Sequence, residues 1–553
     1  YMDVTSGVAN RHSEEEFLEK FSTLIDAGAG TIHVRTGEVI RAAIAIRKHA
    51  LLENGVIQEW DVVNGFRNIT NETFSAVLQQ GDGNVDATAA MFAPLQSLRS
   101  GDGVTDIKYF VYLNPHPFFE NNPVMAQLLA LYRYALPSTN VVVVLITPDI
   151  PLPDELSSTV IALGFSPPGL AELRKSLEVI VNSTAPSLDN GSALTEEDID
   201  KVCYVGAGLS KTSFEIYSAL SIIQGAREGR DCIHVDDLVK GVSVGKTEVV
   251  QTNDILELYP TTDINNVGGL ENLKAWVARR KNCYSDEAKA FGIEPPKGLV
   301  LVGVPGSGKS LTARAIASEF GVPLVRLDFG RVFNSLVGAS EHRMRTALTM
   351  VEDMAPVVLF VDEIDKGLGG AGGSGDSGTS SRVLGSFLTW LNDCKQPVFT
   401  IVTANNVTHL PPEMLRRGRF DGIFSTSLPT ARERREVLRI HLGLRNRDIS
   451  EFSASEIAGI VNISEGYVPS EIESAVKDAL IDAYSEGEEL QYKHIERAFA
   501  AMVPLSKAFA PQIEAMTAWA KANATPAGLE DNTIKHRETS VRRIRPRTTG
   551  KGE

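Results

Sequence analysis

Two kinds of hydrophobic spacing alternate along the 553-residue chain. Short apolar runs, such as those at 141–146 and 357–361 and those opening 108–116 and 399–414, have the length and β-branching of buried strands. Between them, apolar residues return every three or four positions, the spacing of one helix face. Strands alternating with amphipathic helices predict a parallel sheet covered on both faces, so the fold class is α/β. The alternation occurs twice. K-Y-F-V-Y-L-N-P-H (108–116) followed by V-V-V-V-L-I-T-P-D-I-P-L-P-D-E-L (141–156) parallels V-V-L-F-V-D-E-I-D (357–365) followed by F-T-I-V-T-A-N-N-V-T-H-L-P-P-E-M (399–414). Further on, S-P-P-G-L-A-E-L-R-K-S-L parallels L-P-T-A-R-E-R-R-E-V-L, and Gly208 and Gly229 share the spacing of Gly466 and Gly487. A repeat of this length is a duplicated domain rather than a solenoid.

Helix start signals, Thr195 with Asp198 and Ser453 with Glu456, open a helical segment in each copy. A stretch at 182–193 rich in Ser, Asn, Pro and Gly separates sheet from helices in the first copy, and a second joint falls near 247–265. The expected organisation is an α/β domain at 1–185 with a helical lid at 193–245, then an α/β domain at 262–428 with a helical lid at 429–505. The remainder, 506–553, is expected to be a helix to about Ala524 followed by a disordered basic tail.

Charge narrows the function classes. With 54 Lys+Arg against 70 Asp+Glu the net charge is −16, which argues against a non-specific nucleic-acid binder. The tail is the exception, carrying seven Lys/Arg against two Glu from Lys535 onward. Cys203, Cys232, Cys283 and Cys394 show no CxxC spacing, so neither a zinc site nor a disulfide framework is expected and a reducing compartment fits. The longest apolar run, Val141–Ile146, is too short to span a bilayer, so no membrane partner and a cytoplasmic location are expected. His33, His116 and His234 lack metal-ligand spacing and read as structural.

The strongest chemical signal is G-V-P-G-S-G-K-S at 303–310, a GxxxxGK[ST] phosphate-binding loop between an apolar strand and a helix. Gly303, Pro305, Gly306, Ser307 and Gly308 shape a backbone whose N–H groups meet phosphates, and the helix opening at Lys309, Ser310 and Leu311 adds positive potential. Lys309 is expected to reach the β- and γ-phosphates of ATP, and Ser310 to ligate Mg²⁺. Asp362 and Glu363 end a buried strand, where adjacent carboxylates are costly without a cation. Asp362 suits the Mg²⁺ shell and Glu363 the base that orients the attacking water. Asn405 ends the next strand, where an amide can hold that water. L-R-R-G-R-F-D then supplies Arg416, Arg417 and Arg419, planar cations suited to a transferring phosphate.

With D-I-N-N-V-G-G-L ahead of the loop and T-A-N-N and R-R-G-R-F-D behind it, residues 263–505 resemble an AAA+ ATPase module. Nearly the whole chain resembles one AAA+ family of cyanobacteria and algal chloroplasts, the hypothetical chloroplast reading frame forty-six family. The marks are P-P-K-G-L-V-L-V-G, D-S-G-T-S-S-R-V-L-G-S-F-L-T-W-L and P-V-F-T-I-V-T-A-N-N-V. The resemblance implies two tandem AAA+-like modules, a homohexamer with ATP sites at subunit interfaces, and a bacterial-type cytosol or chloroplast stroma. By position it puts Asn266 and Gly268 at the adenine, His441 on the ribose-adenine side, and Arg416 and Arg419 as fingers reaching the neighbour's site.

Three departures stand out. N-S-L-V-G-A-S places Leu336 and Val337 where a pore-loop aromatic is common, G-Y-V-P-S puts Ser470 where a small Ala is usual, and Arg417 replaces a common Pro. No HExxH follows the module in this sequence, so a membrane-bound AAA protease is not the expected reading. The first copy is degenerate: T-I-H-V-R-T-G-E-V-I stands for the phosphate loop, Asn114-Pro115 for the acidic pair, and its finger loop is shortened. The expected function is an ATP-hydrolysing motor that remodels a protein client, with the first module as docking platform. A nucleic-acid-associated ATPase using the basic tail, and a slow nucleotide-gated scaffold, are the alternatives.

Overall fold

In the computed structural model the chain divides into two compact units, Tyr1–Lys246 and Thr247–Glu553. The structure describes residues 11–529 apart from 64, 70–90, 92–94, 96–97, 99–106, 121–122, 135–139, 149–151, 154–155, 157–159, 185–193, 231, 252, 285–287, 289, 333–338, 370–376, 408–409 and 417. The expectations for Leu336, Val337, Arg417 and the basic tail fall outside them.

Each unit is built on a seven-stranded sheet. The first contains β1 (Arg11–His12), β2 (Thr31–Arg35), β3 (Val56–Asp61), β4 (Gly65–Asn68), β5 (Lys108–Leu113), β6 (Val141–Thr147) and β7 (Ile161–Phe165), in the order β1-β7-β2-β6-β5-β3-β4. The second contains β8 (Leu256–Tyr259), β9 (Gly298–Gly303), β10 (Leu324–Leu327), β11 (Val357–Val361), β12 (Val398–Ala404), β13 (Gly422–Thr426) and β14 (Thr525–Pro526), in the order β14-β13-β9-β12-β11-β10-β8. The two orders correspond strand for strand. In both sheets all pairings are parallel except at one edge, β3 with β4 and β10 with β8.

Burial explains the strand sequences. Every residue of β6, β9, β11 and β12 is buried, so these strands read as unbroken apolar runs covered by helices on both faces. Within β5 the faces alternate: Tyr109 and Val111 join the cluster of Phe17, Phe21 and Ile46, while Phe110 and Tyr112 join that of Trp60 and Leu145. In the second unit, Leu359 packs with Met344 and Phe387 on one face, and Phe360 with Leu301 and Ile316 on the other.

The helical segments carry the repeat as well. Thr195–Asp198 and Ser453–Glu456 are both complete capping boxes, opening helices Glu196–Gly206 and Ala454–Ile463. Gly208 (φ +85°) and Gly229 (φ +86°) flank the helix Lys211–Arg227 as Gly466 (φ +85°) and Gly487 (φ +70°) flank Pro469–Glu486. All four are left-handed turn positions at which a Cβ is strained.

One expectation is corrected at the C-terminus. The helix Ala510–Asn523 is followed by ordered chain, not by disorder: Thr525 and Pro526 pair with Phe424 and Ser425 of β13, and Ala527 is fully buried. Leu273 N donates to Ala527 O, and Asn272 Nδ2 donates to the carbonyls of Pro526 and Gly528. A two-residue edge strand carries no periodicity, and its proline is tolerated only because the strand lies at an edge.

Candidate functional site

β9 delivers the loop at the C-terminal end of the second sheet, where helix N-termini and strand ends converge in folds of this kind. Gly303 is a steric requirement, since a Cβ there would stand 1.9 Å from Thr426 Oγ1. Ser307 Oγ and Thr426 Oγ1 share a buried hydrogen bond of 2.7 Å that ties the loop to β13. Gly306 (φ +77°) and Gly308 (φ +87°) occupy left-handed conformations, and the helix Lys309–Phe320 starts at Gly308 with no side-chain cap. Its first N–H groups are therefore not met by a capping side chain, and they suit an anion. Pro305 and Gly306 are exposed and Leu311 is half-buried on the helix.

Lys309 is buried and its ammonium donates to Gly303 O and Val304 O, both at 2.9 Å. Burial holds its pKa down at about 8 against the pull of Asp362, Glu363 and Asp365. Two neutral carbonyls compensate a buried cation incompletely, and a triphosphate would compensate it fully. Ser310 Oγ lies 3.3 Å and 3.4 Å from the two oxygens of Asp362. Asp362 also accepts from Thr403 Oγ1 at 2.7 Å and faces Arg326 at 3.8 Å. A hydroxyl beside a carboxylate, next to the uncapped helix start, is an oxygen donor set that would suit Mg²⁺.

Glu363 has φ +46°, an unfavourable conformation for a non-glycine residue. Its backbone N–H donates to Thr403 Oγ1 at 2.8 Å. Asn405 Nδ2 donates to Glu363 Oε1 at 2.7 Å and Lys366 Nζ lies 2.5 Å from Oε2. Burial pushes the Glu363 carboxyl up, but Lys366 and Asn405 outweigh it and hold the group below the ordinary glutamate range. Asn405 Oδ1 is buried without a partner. Sequence reasoning missed Asp365, which accepts from the backbone N–H groups of Asn405 (3.2 Å) and Asn406 (2.9 Å) and so fixes the amide that grips Glu363. It missed Thr403 and Arg326 too. D-E-I-D held the only signal for Asp365, and that second Asp looked like a helix residue.

The helical segment after β13 packs onto the loop. Ser470 N donates to Gly306 O at 3.2 Å, and a Cβ on Gly306 would meet Ser470 Oγ at 2.3 Å. Asn266 sits half-buried at the end of the short helix Ile264–Asn266. Gly268 backs onto Val437 of the lid helix Ala431–Gly443, where a Cβ would meet Val437 Cγ2 at 2.8 Å. His441 lies on the same helix, held below its ordinary pKa chiefly by burial, and its Nδ1 is buried without a partner. A neutral imidazole with a free ring nitrogen suits a nucleoside.

Arg416 and Arg419 are not brought to this end of the sheet. Asp421 Oδ2 accepts from Lys297 N (2.6 Å) and Gly298 N (2.9 Å), which anchors their loop at the opposite end of β9. The rise of a strand separates Gly298 from Gly303 by about 16 Å. Arg416 is exposed, and Arg419 has a buried NH1 without a partner.

The corresponding place in the first unit is built differently. Arg35 pairs with Thr147 as Leu301 pairs with Thr403, which sets Gly37 against Gly303. Glu38 alone then separates Gly37 from the helix Val39–Leu52, where the second unit places residues 304–308. Arg41, buried 4.3 Å over the Phe165 ring, faces the carboxylates of Glu14 (3.8 Å), Glu38 (3.8 Å) and Glu172 (3.4 Å). Burial raises the pKa of both Glu14 and Glu38. Thr147 Oγ1 accepts from His33 Nε2 at 2.8 Å, whereas Thr403 holds Asp362. Three carboxyl groups thus surround one guanidinium where the second unit has its glycine loop and buried lysine.

The family model for the ATPase family associated with various cellular activities (AAA) matches residues 299–428, and that for the SpoVK-like AAA ATPase N-terminal domain matches residues 17–165. The AAA domain-containing protein ycf46 of Guillardia theta is 33% identical over 510 residues, covering 92% of this chain and 95% of that one. Its counterpart in Pyropia yezoensis is 33% identical over 509 residues, covering 91% and 97%. The ATP-dependent zinc metalloprotease FtsH of Alkalihalophilus pseudofirmus is 30% identical over 320 residues, 55% of this chain and 45% of its own.

Proposed function

Because the chain belongs to the ycf46 family of AAA-domain proteins, we propose that its second unit hydrolyses ATP and that the cycle drives the remodelling of a protein client, with the first unit as a docking platform. The observation that carries the reading is Glu363, held ionised and gripped by Asn405, beside Lys309 and the Ser310–Asp362 pair. On ATP binding, Lys309 exchanges the carbonyls of Gly303 and Val304 for the β- and γ-phosphates. Ser310 and Asp362 would hold Mg²⁺, which would neutralise charge building on the phosphates. Glu363 takes a proton from the attacking water, and Asn405 moves from Glu363 to that water or to the γ-phosphate. Asn266, Gly268, His441 and Ser470 enclose the nucleoside, so that occupancy is felt by the lid.

Arg416 and Arg419 act on a neighbouring subunit, because β9 separates them from their own loop. This arrangement requires a head-to-tail contact between subunits, which a closed ring supplies, and AAA+ proteins commonly form hexamers. A protein client suits a net charge of −16 and a 334–340 segment without Lys or Arg better than a nucleic acid does. Among the described residues no helix is long and apolar enough to cross a membrane.

Glu363→Gln tests the site: it should bind ATP as the parent does and lose turnover by about 10²–10⁴-fold. Lys309→Ala should lose binding itself. Near-parental hydrolysis by Glu363→Gln would overturn the assignment. Turnover stimulated by an unfolded polypeptide supports remodelling; stimulation by nucleic acid alone overturns it.

A further inference from the structure

At the end of β9 and β12 opposite the phosphate loop lies a cavity of about 280 Å³. Val398 and Thr400 of β12 form its floor. Pro296 and Lys297, leading into β9, form one wall, and Trp390 and Leu391, ending the helix Ser377–Asp393, form the other. The volume is just below the range of about 300–1,000 Å³ typical of ligand pockets, so it suits a small metabolite.

Its chemistry is specific. The Thr400 hydroxyl is buried without a hydrogen-bond partner, although buried polar groups are nearly always paired. The Trp390 indole is fixed by donation from Nε1 to Glu352 Oε1 at 2.7 Å, so it offers a rigid aromatic surface. Burial, reinforced by Glu352, pushes the neighbouring Cys394 thiol up to about 12, which leaves it neutral and apolar. Lys297 is itself one of the lining residues. Exposed Lys395 and Glu294 also line the cavity, and the Glu352 carboxylate is occupied by Trp390, so an anion would be met by Lys297 and Lys395.

Lys297 also touches the loop that carries the arginines. Its ammonium lies 3.4 Å from Gly418 O, and its backbone N–H donates to Asp421. Its carbonyl accepts from Thr400 N at 2.8 Å. The next residue, Gly298, admits no side chain, since a Cβ would stand 1.9 Å from Thr400 O. The floor of the cavity, the start of β9 and the arginine loop therefore form one hydrogen-bonded unit.

We propose that this cavity binds a small carboxylate with an apolar body, and that the ligand draws the Lys297 ammonium from Gly418 O and so resets the loop bearing Arg416 and Arg419. The regulatory half rests on the reading of those arginines as fingers for a neighbouring site; the binding half does not. Ligand and nucleotide lie at opposite ends of the same strands, so they do not compete.

The test uses the full chain and 3-phenylpropionate as probe, with 3-phenylpropanol as the uncharged control, read by saturation-transfer NMR. The acid should bind about tenfold more tightly than the alcohol, the gain of one charge-assisted contact. Lys297→Gln should remove that difference. Leu391→Trp, or the milder Leu391→Phe where the first fails to fold, should fill the cavity and abolish transfer. In parallel, the acid should change ATP turnover at saturating ATP by at least about twofold in the parent and not in the filled variant. No transfer from the acid, or transfer that survives filling of the cavity, overturns the site. Binding without any change in turnover, in a chain that hydrolyses ATP, overturns the regulation. Binding lost on filling, in a chain with no ATPase activity, supports the site while overturning the function proposed above.

Discussion

The two units share a strand order but differ at the ends of their strands. In the second, β9 opens into a five-residue loop and an uncapped helix, and β11 ends on Asp362 and Glu363. In the first, β2 runs through Gly37 and Glu38 directly into a helix, and β5 ends on Asn114 and Pro115. The connection from β12 to β13 spans 405–421, while that from β6 to β7 spans 148–160. A sheet of this topology is thus held by its buried runs, and the nucleotide chemistry proposed for the second unit would be a separate layer carried on a few loop residues.

The comparison breaks hardest at the arginines, which only the second unit has. Arg419→Ala should bind ATP and hydrolyse it at least about 10³-fold more slowly. Mixing it with Lys309→Ala should restore activity, because one mutant's intact site meets the other's intact arginine. No recovery after confirmed co-assembly would place the arginine in its own subunit's site. Next comes Asn405→Ala, which frees Glu363 from its amide partner. Misplacing a catalytic group costs on the order of 10²-fold, so kcat should fall by about that much with ATP affinity unchanged.

A smaller difference is read by heat. ATP at a hundred times its Kd should stabilise the second unit by about 2.7 kcal/mol and leave residues 1–246 unmoved. A clear shift in the first unit would reveal a site there despite Glu14, Glu38 and Glu172. The smallest effect concerns His33, which stands where the second unit has Leu299 and whose burial holds its pKa down to about 3. Unfolded histidine takes up its proton near pH 6.5 while the folded residue does not, so stability falls as pH drops below that value. At pH 5 His33 alone costs the first unit about 2 kcal/mol, with the raised carboxyls of Glu14 and Glu38 offsetting part of it. His33→Gln should flatten the profile of melting temperature against pH.

Legibility in the sequence followed how locally each feature is encoded. The buried strands were readable because burial on both faces leaves continuous apolar runs. The loop at 304–308, Asp362–Glu363 and Asn405 stood out because each is a short motif at a strand end, and the structure brings them together. Asp365 and Arg326 were not, since each acts on a strand that is remote in sequence and carries no motif of its own. β14 was hidden by its length. The edge strands also escaped the repeat: β4 follows β3 through a tight hairpin, whereas β8 precedes β9, and β1 and β14 join equivalent edges from opposite ends of their units.

That last difference bears on synthesis at the ribosome. The first unit begins its sheet with β1 and has all seven strands once β7 has emerged. The second unit cannot finish until Thr525 and Pro526 leave the exit tunnel, long after the phosphate loop and lid have been made. Until then the edge of β13 lies bare, and Met516, which packs with Val304 of the loop and with Val468, joins only shortly before. The nascent second unit is therefore an unfinished sheet through most of its translation. A chain ended before residue 510 would be released in that state, with an open β-edge and an unsupported phosphate loop, and would be prone to pair with other copies of itself.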